Sequence, residues 1–170
     1  MTVDKLIRSL NSLDSSEVFF GPQGFKHMTT EDELQKAQLG FGMNELGQAI
    51  SNTDHGCWQA SWLVFARDTE LGDPYFVDIQ QVELPVYTGF LADEGWELAQ
   101  VATTLSGYVC CMQLLFDHGG QTQAQFYPDQ TSVKDDSVIA QLEQKLIELS
   151  GYQHFWQLFI QCYRDWLIEE

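Results

Sequence analysis

The stretch that decides the fold is RDTELGDPYFVDI, Arg67 to Ile79, where two strand-forming runs meet across polar punctuation. The run leading into it, Trp58 to Ala66 (WQASWLVFA), starts in alternation. Trp58, Ala60, Trp62, Val64 and Ala66 share one face, and Gln59 and Ser61 take the other. Leu63 and Phe65 then make the second face apolar too, which predicts a central strand covered on both sides. The run Tyr75 to Ile79 alternates Tyr75, Val77 and Ile79 against Phe76 and Asp78. Between the runs, Gly72 permits positive φ, Asp73 can bond its own backbone, and Pro74 fixes φ and lacks an N–H. The combination predicts a β-hairpin with a longer loop, in which Asp73 shapes the turn.

Downstream, Pro85-Val86-Tyr87 predicts a third short strand entered through proline, and Asp93-Glu94-Gly95 a loop. From Trp96 the period changes. Leu98, Val101, Ala102, Leu105, Val109, Met112 and Phe116 fall on a helical stripe that Gly119 and Gly120 stop. Gln121 to Asp129 is polar, with room for an edge strand at Ala124 to Tyr127. Two helices close the chain. One carries Val138, Ile139, Leu142, Leu146 and Leu149 and ends at Gly151; the other carries Tyr152, Phe155, Trp156, Phe159, Tyr163, Trp166 and Leu167. That aromatic stripe suits a core face, with a docking surface or dimer support as alternatives, because Leu158 and Ile160 widen the apolar arc.

Upstream, Val3, Leu6, Ile7, Leu10 and Leu13 recur at helical spacing. Phe20 to Phe25 reads as a glycine-rich loop. Thr30 and Glu33 form a capping box for a short helix that Gly40 and Gly42 should end. Met43 to Asn52 is ambiguous, with another helical turn as one reading, and Asn52 to Gly56 is turn-like. The order predicts an α+β domain over residues 1–170: a central, mainly antiparallel sheet with helices at the N-terminus, after the strands and at the C-terminus. Residues 134–170 read as a two-helix C-terminal extension.

At 170 residues the chain can bury a core without staples. No run of about 18 apolar residues offers a membrane span. Met1 to Leu10 carries Asp4, Lys5 and Arg8 where a secretory block would be apolar. Both predict a cytoplasmic protein that makes no use of membrane. Cys57, Cys110, Cys111 and Cys162 contain no CxxC pair and read as reduced, mostly buried thiols. With 25 acidic residues against 8 basic ones, the formal charge is −17. Counterion release on nucleic acid needs cationic side chains, so nucleic acid is excluded as a partner and basic proteins are favoured. Solubility alone is the alternative explanation of equal weight.

Chemical motifs are sparse. GxSxG, HExxH and P-loop patterns are absent. Gly40-Phe41-Gly42 has its third glycine at Gly47, two positions late for a dinucleotide loop. His55 and Cys57 beside Asp54 have no second cluster to complete a zinc site, and no cofactor is expected. Asp68, Glu70 and Asp73 could form an acid–base pair only inside an apolar pocket, and a solvated loop is the plainer reading.

From Trp62 to about Leu115 the sequence resembles the SUKH superfamily, small immunity proteins of bacterial toxin systems that include a fungal regulator of cell-wall synthesis. The resemblance rests on WLVFARDTELGDPYFVD, the following LPVYTGF, and WELAQVATTLSGYV, where Ala102-Thr103-Thr104 and Tyr108 occupy the family's small-hydroxyl and aromatic positions. It implies a non-enzymatic protein that binds and blocks a toxin encoded nearby, often one directed at nucleic acid. The charge points independently to a basic partner, and the expected contacts are Asp68, Glu70, Asp73, Asp93, Glu94 and Glu97. A regulatory or scaffold protein on the same fold and a small acid–base hydrolase are the alternatives, and a homodimer stays open.

Overall fold

The computed structural model describes residues 2–52 and 54–169. Among these the chain forms five helices and one six-stranded sheet, in the order α1 (Thr2–Leu10), β1 (Glu17–Phe20), β2 (Gln23–His27), α2 (Glu31–Ala37), β3 (Trp62–Asp68), β4 (Pro74–Asp78), β5 (Val86–Ala92), β6 (Gly95–Ala102), α3 (Leu105–Gly119), α4 (Asp136–Ser150) and α5 (His154–Ile168). Each strand pairs antiparallel with the next in sequence, so the sheet is a meander running from β1 to β6. This is the α+β arrangement read from the sequence. Among the described residues no helix is long and apolar enough to cross a membrane.

β3 lies inside the sheet and is covered on both faces, as its apolar second half required. The helix-side core joins Leu6 and Leu10 of α1, Tyr108 and Met112 of α3, Leu142 of α4 and Trp156 of α5 to Phe65, Ala66, Tyr75 and Val77. The opposite face holds a smaller cluster of Ala37, Trp58, Val64 and Phe76, flanked by Phe41, Trp62, Tyr87 and Trp96. One residue of bulge separates the two sets. Val64 lies opposite Phe76 and Ala66 opposite Tyr75, which leaves Phe65 extra. The bulge turns Phe65 and Ala66 to the same side, so Ala66 does not share the face of Trp62 and Val64 as strict alternation predicted.

The aromatic stripe of α5 is a core face: Trp156, Phe159, Ile160, Tyr163 and Trp166 are buried, while Leu158 is exposed. Its polar tips find backbone acceptors. Trp156 Nε1 donates to Val101 O at 3.0 Å and Tyr163 Oη to Val133 O at 2.8 Å. The capping box of α2 forms as predicted, and Gly151, at φ 68°, closes α4. α2 nevertheless stops at Ala37, before Gly40, because Gln38 is drawn into the sheet. Its Nε2 donates to Val64 O at 2.7 Å and its Oε1 accepts from Val64 N at 3.0 Å, where β2 has run out.

Several expectations are corrected. Phe20 to Phe25 is the heart of the β1–β2 hairpin, not a loop; Gly21 takes φ 61° in the turn, and the Tyr163 ring separately leaves no room for a Cβ there. Trp96 to Ala102 is strand, not helix. Six residue pairs tie it to β5 across the Asp93-Glu94 turn, and pairing of that extent overrides local periodicity. The helix begins only after Thr104, whose hydroxyl accepts from Gly107 N at 2.9 Å. Ala124 to Tyr127 forms no strand; Gln121 makes a single bridge to Phe19 instead. Met43 to Asn52 folds as turns and isolated bridges, not helix. The first strand of the central hairpin starts at Trp62, four residues late, and Trp58 packs beneath it from the preceding loop. Of the cysteines only Cys111 is buried; Cys57 is half-buried, and Cys110 and Cys162 are exposed.

Candidate partner-binding surface

Asp68 closes β3 and organises the loop that follows. Its Oδ1 accepts from the N–H groups of Glu70 at 2.8 Å, Leu71 at 2.7 Å and Gly72 at 3.3 Å, and its Oδ2 from Asp73 N at 3.0 Å. Asp68, rather than Asp73, therefore shapes the turn, correcting the role given to Asp73 from sequence. The carboxyls of Glu70 and Asp73 are held above the ordinary carboxylate range, first by partial burial and then by the charge of Asp68. Tyr75 lies buried beside them, and its phenol is pushed up by burial and then by the same three acids. Arg67 does not relieve this field. Its guanidinium carbon sits 4.9 Å from the centre of the Phe41 ring and its Nη2 donates to Ala37 O at 3.3 Å, on the other face of the sheet.

The β5–β6 hairpin carries the remaining acids. Asp93 and Glu94 form its exposed tip, and Glu97 stands on β6 opposite Phe90. The tip is fixed by backbone. Trp96 N donates to Gly56 O at 2.8 Å, and a Cβ on Gly95, at φ 123°, would collide with Gly56. Asp73 and Glu97 line one open depression of about 140 Å³ together with Thr88, Phe90 and Ala99. The fold thus brings Asp73 to Glu97, sets Asp93 and Glu94 at the end of the same hairpin, and leaves Asp68 engaged with its own loop. Among the described residues none of Glu70, Asp73, Asp93, Glu94 and Glu97 is ion-paired.

Three apolar side chains share this hairpin with the acids. Phe90 is 53% exposed, Leu91 68% and Leu98 43%. The sequence reading missed them because it placed Leu98 on a buried helical stripe and gave no role to Phe90 or Leu91. A second signal was legible and went unused: between Arg67 and Lys134 there is no lysine or arginine, while ten carboxylates fall in that interval.

The histidines take no part. His27 is buried, with Nδ1 donating to Ser16 O at 2.8 Å and Nε2 accepting from Tyr108 Oη at 2.8 Å; the carbonyl can only accept, which fixes the neutral tautomer. Burial lowers its pKa to about 4. Among the described residues no group of three or more His, Cys, Asp or Glu side chains is placed to hold a metal ion. No family model, no curated protein and no solved structure matches this chain.

Proposed function

We propose that the protein is a cytoplasmic immunity protein that neutralises a cognate toxin, encoded by a neighbouring gene, through direct contact. The observation that carries the proposal is the cation-free stretch across β4, β5 and β6, whose unpaired carboxylates Glu70, Asp73, Asp93, Glu94 and Glu97 stand beside exposed Phe90, Leu91 and Leu98. The pairing register sets Phe90 with Glu97 on one face of the hairpin and Leu91 with Leu98 on the other, with Asp93 and Glu94 at the tip. Acids and exposed apolar groups on one hairpin suit a partner of the opposite sign: the charges guide the encounter and the apolar contacts hold it. An enzyme that acts on nucleic acid carries a basic cleft, and these acids would compete there with substrate phosphates. Asp68 contributes by holding the loop that presents Glu70 and Asp73. The resemblance to the SUKH superfamily supports the same reading. A binding role is favoured over the hydrolase because Asp68 is taken up by four backbone amides and Asp73 lines an open depression, not an enclosed one.

The test is co-expression with the neighbouring reading frame. The expected result is a 1:1 complex whose affinity falls as salt rises from about 0.05 to 0.5 M, and falls further in the triple variant Asp93→Lys, Glu94→Lys, Glu97→Lys. A product that does not co-purify sinks the immunity role. An affinity indifferent to salt sinks the electrostatic mechanism.

A further inference from the structure

The two edges of the sheet are treated differently. The edge at β1 is closed: Phe19 bridges to Gln121, and Gln125 N donates to Gly21 O at 2.9 Å. Among the described residues the edge at β6 is tied at its ends alone, by Trp96 N on Gly56 O and by Trp156 Nε1 on Val101 O. Between those ties lie Glu97, Leu98, Ala99 and Gln100. In an antiparallel ladder the N–H and C=O of one residue point to one side, and successive residues alternate. Because Trp96 directs its N–H outward to Gly56, Leu98 and Gln100 direct theirs outward as well. Among the described residues no backbone group pairs with them. The stretch contains no proline or lysine, the bulge comes only afterwards, at Val101, and its one charged side chain is Glu97, which deters anionic strands and admits basic ones.

We infer that the β6 edge takes up an extended, basic segment of the partner as a seventh strand. Pairing would supply partners to Leu98 and Gln100, and alternation dictates the incoming side chains. On the face of Glu97 a lysine or arginine meets a carboxylate. On the face of Leu98 an apolar residue covers Leu98 and Leu91. A second copy of this chain is the wrong occupant, because each copy carries −17 and the hairpin brings Asp93, Glu94 and Glu97 with no cation. The inference rests on the reading of this hairpin as the partner-facing surface and adds the mode of contact.

The probe is a short capped peptide of alternating lysine and valine, added to the full chain and followed by amide hydrogen exchange. Exchange at Leu98 and Gln100 is expected to slow by about tenfold or more. A peptide N-methylated at every second amide, equal in charge but unable to pair, should give no protection, and a glutamate–valine peptide should not bind. Leu98→Pro, which removes an outward N–H, should abolish binding with the thermal transition retained. If it does not fold, the exchange pattern of the natural chain decides. Equal protection by the N-methylated peptide, protection elsewhere, or a dimer through this edge overturns the inference. A toxin captured equally by natural chain and Leu98→Pro refutes the added strand and leaves the immunity role standing. Peptide pairing without any neighbouring-gene complex does the reverse.

Discussion

His27 is the residue whose environment departs furthest from what its neighbours in sequence suggest. It sits on β2, a strand the sequence did not reveal, and nothing in GFKHM announces that Tyr108, distant in the chain, will donate to its ring. Its burial has a thermodynamic consequence. The folded pKa of about 4 lies below the ordinary 6.5, so the unfolded chain binds a proton between these values and the folded chain does not. The contribution of neutral His27 is therefore complete above pH 6.5 and is lost as pH falls toward 4, by about 3 kcal/mol. Urea unfolding of the natural chain and of His27→Gln between these pH values checks this. The natural chain should lose more stability on acidification, and parallel curves would show that His27 is not the group responsible.

At the scale of elements, β3 and β4 were legible because their period of two is strong and Gly72 and Pro74 punctuate it. WELAQVA was not legible, because its apolar residues satisfy a helical stripe as well as a strand and only β5, lying across the turn, decides between them. The same ambiguity hid half of the candidate surface. The acids could be read directly, but the exposure of Phe90 and Leu98 follows only once the segment is a hairpin whose register sets its two faces. The β3–β4 loop gives a sharper test of roles. Asp68→Ala removes the acceptor of four backbone N–H bonds and should cost about 2 kcal/mol in denaturant unfolding. Asp73→Asn removes a carboxyl already disfavoured by burial and by Asp68, and should leave stability within about 0.5 kcal/mol. Equal losses from the two variants would return the shaping of the turn to Asp73.

For the whole molecule, a charge of −17 held on one compact chain repels itself. Salt should therefore act in opposite directions on folding and on association. Between about 0.01 and 0.15 M the screening length shortens from about 30 to 8 Å, and the thermal midpoint should rise while the affinity for a basic partner falls. A midpoint unmoved by salt would mean that the acids are spaced widely enough to ignore one another. The excursion between α2 and β3 shows a different economy. Where β2 ends, a lone amide, Gln38, does the work of a strand for Val64. The chain re-enters the sheet at β3 beside this side chain, with Ile79 N donating to Ser61 O at 2.8 Å on the other side. Insertions within the excursion lengthen it without disturbing strand order, whereas a side chain at position 38 too short to reach the sheet leaves the amide and carbonyl of Val64 unpaired.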